Sequence, residues 1–194
     1  MKYSLMFLIF TASYLNAINF KEGNKEFPYQ IWFGGGIGAL GTADGRLINI
    51  NASLNYSKND RIFKFRGILA RELVILGPRP DDEVWELGLL YGGHSTKGKV
   101  SVSYLAGISY TGGSYKGDRL DSGYYEELTF GTFGLPLEIQ FNAKLLEYVG
   151  FSIILFADIN PDKSYGGVNF AILLGQLPGL TGTTHFKRLK FSLY

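Results

Sequence analysis

The feature that most constrains this chain is a two-residue alternation of apolar and polar side chains, which recurs from segment to segment. Between positions 47 and 57, Ile48, Ile50 and the later even positions are apolar, whereas the odd positions from Asn49 onward are asparagine or serine. Successive side chains of a β-strand point to opposite faces, so this pattern predicts a strand with one apolar and one polar face. A sheet built from such strands separates two different solvents.

The same alternation predicts eight strands, and an even number of strands is typical of outer-membrane barrels. Most of the segments have about the 9–11 residues that a tilted membrane-spanning strand needs. Helical periodicity is nearly absent from the chain. The predicted strands lie around positions 31–39, 47–57, 63–69, 85–91, 99–111, 135–143, 151–157 and 168–174.

One segment, 124–145, is too long for a single membrane strand and contains Pro136. Proline removes a donor from the strand ladder, so we expect a bulge or an edge at this position. The apolar face also slips between Leu128 and Gly134. We therefore expect a β extension above the membrane over 124–133 and an embedded strand over 135–145. A ten-stranded barrel is the alternative.

The predicted connections alternate in length, as they do in outer-membrane barrels, which have short periplasmic turns and longer outer loops. The segment 92–98 is a mild exception, because it predicts a seven-residue turn on the periplasmic side. Short turns are predicted at 58–60 and 147–148, and longer loops are predicted at 41–46, 75–82, 112–123 and 160–164.

The N-terminus has the plan of a secretory signal peptide. Lys2 is followed by an uncharged run from Ser4 to Leu15 and by a small residue, Ala17, at a plausible cleavage point. The apolar run is shorter than the roughly 20 residues that a transmembrane helix needs. The predicted division of the chain is a signal peptide at 1–17, a lead-in at 18–29, the barrel at 30–177 and a basic periplasmic tail at 178–194.

The chain resembles the small eight-stranded outer-membrane barrels of the OmpX and OmpW-like group over residues 30–177. The stretch Leu135–Glu138 and the strand that begins Tyr165-Gly166-Gly167 look like the closing strands of that group. The resemblance implies an all-β fold, an eight-stranded antiparallel up-and-down transmembrane β-barrel. It also implies the outer membrane of a Gram-negative-type bacterium, reached by signal-directed export. Such barrels usually end at an aromatic residue of the last strand, whereas here a tail follows.

The interior of an eight-stranded barrel is just wide enough for side chains or for one small ligand. The charged and polar residues predicted to line the lumen as an ion cluster are Lys64, Arg66, Glu86, Glu138, Gln140 and Asp158. Counted from the periplasmic turns, Arg66, Glu86 and Glu138 lie at similar heights. Because a buried charge must be paired, we expect these three to meet and to plug the lumen. A gate or a narrow proton or ion path is the alternative.

Aromatic side chains near the strand ends predict girdles at the two membrane interfaces. In a soluble sandwich the same side chains would be ordinary core residues. The predicted girdle consists of Trp32, Tyr56, Trp85, Tyr91, Tyr104 and Tyr110.

Composition excludes several kinds of site. The chain has no cysteine and two histidines, which excludes thiolate sites and multi-histidine metal sites. A formal net charge of +2 argues against nucleic acid as a partner. Residues 36–41 match the sequence of a dinucleotide-binding fingerprint, but no helical pattern follows, so no helix N-terminus would bind the phosphate. We therefore expect no cofactor and no metal.

The predicted function is non-enzymatic, a structural or interaction role in which the outer loops, above all 112–123, form the contact surface. The expected partners are outer-membrane lipid and other envelope proteins, met through the loops or through the basic tail. One alternative is a lipid-modifying enzyme, for which His94 and Ser95 are the candidates, although adjacent residues of a strand point apart. The other is a soluble secreted barrel with an apolar ligand inside, which inverts every face.

Overall fold

The computed structural model describes residues 29–43, 45–58, 60–72, 82–119 and 125–178. Each strand pairs with the next one in antiparallel fashion, and β8 pairs back with β1 to close a barrel. No helix within the described ranges is long and apolar enough to cross a membrane. The strands are β1 (Gln30–Thr42), β2 (Arg46–Lys58), β3 (Arg61–Arg71), β4 (Glu83–Lys97), β5 (Val100–Arg119), β6 (Tyr125–Leu146), β7 (Val149–Ile159) and β8 (Tyr165–Gly175).

The alternation of apolar and polar residues in the sequence corresponds to an alternation of exposed and buried side chains in the structure. Along β2, exposed and buried residues alternate without exception, so that Leu54 is 41% exposed and its neighbour Asn55 is 1% exposed. Aliphatic and aromatic rows therefore face outward and amides, hydroxyls and charges face the lumen. The alternative of a soluble carrier is wrong, because a carrier needs the opposite arrangement. The alternative of ten strands is also wrong, since the closed ring contains eight.

The predicted signal peptide, most of the lead-in and the tail after residue 178 lie outside the described residues, as does most of the predicted loop 75–82. The described connections divide the barrel into two ends. The β2–β3, β4–β5 and β6–β7 connections lie at the short-turn end, and the other four connections lie at the long-loop end. The last strand leaves the barrel at the short-turn end.

Along the inward face of β3, the lining of the lumen changes from apolar to charged and back to apolar. Ile62 belongs to an apolar cluster at the short-turn end, Lys64 and Arg66 follow, and Ile68 belongs to a second apolar cluster at the long-loop end. The short-turn cluster also contains Trp32, Leu90, Leu105, Leu173 and Leu177, and the long-loop cluster also contains Leu40, Leu47, Ala70, Val84, Ile154, Phe156, Tyr165 and Ala171.

The chain turns inward after β8. Gly175 has a φ of +133°, which side-chain-bearing residues rarely adopt, and its N–H donates to the Tyr148 carbonyl at 2.9 Å. The next N–H, of Gln176, donates to the Ile31 carbonyl at 2.8 Å. Leu177 is then 4% exposed within the short-turn cluster. The segment that follows β8 thus adds an apolar side chain to the short-turn cluster.

The predicted loop 112–123 is mostly strand, because β5 continues to Arg119 and β6 begins at Tyr125. The two strands pair in one register from Ser109–Gly134 to Lys116–Glu127, whereas β7 joins β6 only from Leu135 onward. Residues 115–119 and 125–128 therefore form a two-stranded ribbon beyond the barrel wall, and residues 129–134 pair with the wall strand β5 but have no partner on their other side. We call 115–119 and 125–134 together the projecting hairpin. The predicted turn 92–98 is also strand as far as Lys97, so the short-turn end has only short connections.

The bulge expected at Pro136 is not there. The pairs Ala106–Leu137 and Ser109–Gly134 belong to one register, and Pro136 itself pairs opposite Asp158 of β7. The ladder between β5 and β6 has a gap at the proline, which absorbs the missing donor without an extra residue. Within the described strands, the register shifts lie elsewhere, near the tip of the projecting hairpin and beside Lys144.

Candidate functional site

The charged layer of the lumen is a four-residue ion network. Arg66 donates from Nε and Nη2 to Glu86 Oε1, at 2.9 and 2.6 Å, and from Nη1 to Glu138 Oε2 at 2.8 Å. Lys64 Nζ donates to Glu138 Oε1 at 2.5 Å. All four side chains are at most 3% exposed. Two cations and two carboxylates therefore neutralise one another inside the barrel.

Three strands position this network, and the sequence explains why they can. Lys64 and Arg66 share the inward face of β3, so they stand one above the other on the same wall. Glu86 projects from the neighbouring β4 and Glu138 from β6, two strands farther around the ring. The structure therefore brings together the three residues predicted to meet, and it places beside them Lys64, which was also predicted to belong to the ion cluster. Removing one partner from such a buried network leaves an uncompensated charge, which costs about 3–5 kcal/mol.

Two further residues predicted to belong to the ion cluster, Gln140 and Asp158, have different hydrogen-bond partners. Gln140 belongs to the network, because its Nε2 donates to Glu138 Oε1. Asp158 was also predicted to belong to it, and that part is wrong. Its carboxylate accepts hydrogen bonds from Ser109 Oγ and from Asn160 Nδ2, the latter at 2.8 Å. Asp158 lies nearer the long-loop end of the lumen than Glu138, since Glu138 pairs with the residue two positions earlier in β7.

Tyr165 is a member of the network that sequence reasoning missed. Its hydroxyl donates to Glu86 Oε2 and lies 3.4 Å from Thr111 Oγ1. It extends the polar layer into the long-loop cluster, where the ring itself packs. The sequence could have predicted this position, because Tyr165 is an even number of residues from the inward-facing Asn169 and therefore lies on the same face of the strand.

Five of the six predicted girdle residues lie on the outward face. Near the long-loop end, the Trp85 and Tyr110 ring centroids are 5.6 Å apart, and Tyr110 lies 5.2 Å from Phe133. Near the short-turn end, Tyr56 is 6.4 Å from Phe63, which in turn is 4.7 Å from Tyr91. The fifth, Tyr104, is 59% exposed.

Trp32 was also predicted to belong to the girdle, and that prediction is wrong. Its side chain is 0% exposed and packs in the short-turn cluster. It alternates with Ile31 and Phe33, whose parity is outward, so the pattern of β1 directs it into the lumen. A position near a strand end suggested the girdle, but the face of the strand decides which solvent a side chain meets.

The long-loop rim carries ion pairs that the sequence analysis did not predict. Lys116 Nζ lies 2.6 Å from Glu72 Oε2, and Lys163 Nζ lies 3.1 Å from Asp82 Oδ2 and 5.2 Å from the centre of the Tyr115 ring. A mouth cavity of about 330 Å³ is lined by Arg46, Glu72, Asp82, Tyr115 and Lys116. A third pair, Arg71–Glu83 at 2.5 Å, lies on the outer wall.

His94 and Ser95 do not converge. They lie next to each other in β4, where Ser95 is exposed and the His94 side chain is 6% exposed. His94 Nε2 lies 3.9 Å from Asp60 Oδ1, and its Nδ1 has no hydrogen-bond partner in the described part of the chain. His94 and Ser95 therefore do not form the hydrogen-bonded nucleophile and base that a catalytic triad needs.

No known protein family model matches the chain, and no curated protein matches it. Solved structures do. Neisserial surface protein A is similar with a TM-score of 0.57 and 13% identity, over 76% of this chain and 97% of that one. The attachment invasion locus protein Ail of Yersinia pestis is similar with a TM-score of 0.54 and 11% identity, over 76% and 97%. The N-terminal β-barrel domain of Pseudomonas aeruginosa OprF has a TM-score of 0.54 and 8% identity, over 75% and 96%.

At sequence identities this low, the similarity to these solved structures concerns the fold alone. The similarity covers 96–97% of each of these structures, and the present chain forms a closed ring of eight antiparallel strands. This chain therefore has the fold of the small eight-stranded outer-membrane β-barrels.

Proposed function

We propose that this protein is a non-enzymatic outer-membrane barrel that holds a contact element, the projecting hairpin, outside the cell. The observation that carries the proposal is the hairpin itself, which continues for ten residues of β6 beyond its last pair with β7. The long-loop end is then the external end, as in barrels of this class. Export through the signal peptide at 1–17 is part of the proposal.

The packing of the lumen favours a structural or interaction role over a channel. The ion network occupies the middle of the barrel, and an apolar cluster lies on either side of it. Ions cross a membrane protein where polar groups line a continuous path. Here the charges are paired with one another and flanked by two apolar clusters, which favours the structural role.

The exposed edge of the hairpin supports contact with another protein. No described strand pairs with residues 125–134 on the side away from β5. Unpaired edge groups are a template on which an extended segment of another chain can add a strand. Glu126 and Glu127 are exposed near the tip, so the favoured segment is a basic one. A basic extended segment of an envelope or extracellular protein is therefore the proposed partner.

Location and orientation can be tested with cysteine labelling, because the chain contains no cysteine of its own. We expect Thr129→Cys, on the hairpin, to react with a membrane-impermeant maleimide on intact cells. Ser95→Cys, at the short-turn end, should react only after the outer membrane is permeabilised. The protein should fractionate with the outer membrane and migrate differently on a detergent gel before and after heating. Labelling of both positions on intact cells, or recovery in the soluble fraction, would contradict the proposal.

The open edge can be tested by hydrogen exchange of the purified barrel. In residues 127–133, alternate amides that do not bond to β5 should exchange rapidly. Amides of residues 137–142, which lie between two paired strands, should be protected throughout. Uniform protection of 127–133 would mean that another part of the chain covers the edge, and the docking proposal would fail.

A further inference from the structure

The outward wall of the barrel has a groove that begins toward the short-turn end, at Tyr91 and Tyr104, and extends to Leu137 and Ile139. It has a volume of about 340 Å³ and lies across β4, β5 and β6. Its floor includes Ala106, whose small side chain keeps the space open. The walls are apolar or aromatic, so the groove suits a hydrocarbon chain.

A cation lies beside this groove. The Arg61 guanidinium carbon is 6.0 Å from the centre of the Tyr91 ring, so the wall of the groove holds the charge next to it. Arg61 is exposed at the beginning of β3 and pairs in the ladder with Gly93. Position 93 has no side chain, and the Tyr104 ring covers it, since a Cβ built there would lie 2.8 Å from the Tyr104 hydroxyl.

The short-turn rim has an excess of positive charge. Its described residues include five cations, Lys58, Arg61, Lys97, Lys99 and Lys144, and two carboxylates, Asp60 and Glu147. Within the described chain, none of the five cations forms a salt bridge. Lys99 and Lys144 are adjacent, because the Lys144 N–H donates to the Lys99 carbonyl at 2.8 Å. These cations are therefore available to an external anion.

We propose that the groove and the rim together bind one anionic phospholipid. An acyl chain lies in the groove, the phosphate contacts Arg61, and the neighbouring lysines supply further attraction. This inference rests on the proposed membrane location and names the lipid that the short-turn end selects. Cations next to an anionic membrane surface attract its headgroups, and each contributes about a fivefold preference.

The test is native mass spectrometry of the full chain in detergent, with phosphatidylglycerol and phosphatidylcholine that carry identical acyl chains. Wild-type protein should retain phosphatidylglycerol in preference to phosphatidylcholine. Arg61→Gln should lower phosphatidylglycerol retention about fivefold, and Arg61→Lys should restore it. Arg71→Gln is the matched control, because Arg71 is exposed at the other end of the same strand. It should retain the lipid as the wild type does.

The groove has its own pair of variants. Ala106→Leu fills the floor and should reduce retention of both lipids, whereas Ala52→Leu, on the outward face of β2, should leave retention unchanged. Heat-dependent gel mobility of each variant establishes that the barrel is folded. Equal retention of the two lipids by the wild type, or equal losses in Arg61→Gln and Arg71→Gln, would overturn the inference. A folded barrel found outside the outer membrane would instead overturn the proposed function.

Discussion

The two halves of β6 differ although they form one strand. In the lower half, Leu135–Leu146, the outward residues Leu135 and Ile139 are 48% and 46% exposed while the inward Glu138 is 2% exposed. In the upper half, Tyr125–Gly134, the pattern is reversed, since the outward Thr129 is exposed and polar and the inward Phe130 packs against the long-loop cluster. The faces keep their parity from one half to the other.

This difference identifies the solvent outside each half. An apolar outward row is stable against lipid, and a polar outward row is stable against water. The slip that the sequence shows between Leu128 and Gly134 is therefore not a change of face, and under the proposed membrane location it is a change of solvent. Phe133, which is 75% exposed, marks the boundary. Four substitutions on this one strand test the two faces of each half.

The largest effect is expected for the inward face of the lower half. Glu138→Gln leaves Lys64 and Arg66 with a single carboxylate, so the free energy of unfolding should fall by about 3–5 kcal/mol. Urea unfolding in lipid vesicles, followed by tryptophan fluorescence, measures this loss. The double variant Lys64→Met with Glu138→Leu keeps the Arg66–Glu86 pair and should recover most of it. A loss under about 1 kcal/mol would contradict a charged, fully buried network.

The second-largest loss of stability is expected for the outward face of the lower half. Ile139→Arg places a charge against hydrocarbon and should cost about 2–4 kcal/mol near the middle of the membrane. The same unfolding measurement applies, and Ile139→Val is the control for the loss of apolar contact. If the arginine variant is as stable as the valine variant, this surface does not face lipid.

The inward face of the upper half should show an intermediate effect. Phe130 is half-buried, and its ring lies 6.1 Å from that of Tyr115. Phe130→Ala should cost about 1–2 kcal/mol, less than a fully buried phenylalanine. Hydrogen exchange should also become faster in the projecting hairpin and stay unchanged in residues 137–142. Equal acceleration in both segments would mean that the hairpin and the barrel wall open as one unit.

The smallest effect is expected for the outward face of the upper half. Thr129→Arg adds a charge to a surface in water and should change the free energy of unfolding by less than about 0.5 kcal/mol. Its comparison with Ile139→Arg isolates the solvent, because both place arginine on the same face of the same strand. A loss as large as that of Ile139→Arg would place the hairpin in the membrane.

Sequence reasoning was most accurate where the information is local. The parity of Lys64, Glu86 and Glu138 follows from the two-residue period of the backbone, so each of these residues could be assigned to the lumen. It failed for Trp32, which was assigned to the girdle from its place near a strand end and not from the face of the strand on which it lies. It also failed for the glycine-rich segment 112–123, which was predicted to be a loop although most of it pairs as a hairpin. It also missed contacts between residues far apart in sequence, such as the rim pair between Lys163 and Asp82.

By itself, the sequence determined the number of strands, their faces and the charges that the lumen contains, because alternation is a property of each strand alone. Only the tertiary structure decided which of those side chains meet. That outcome depends on how far each strand is displaced along its neighbour when the ring closes, and no single segment contains this displacement. The separation of Asp158 from the ion network follows from it.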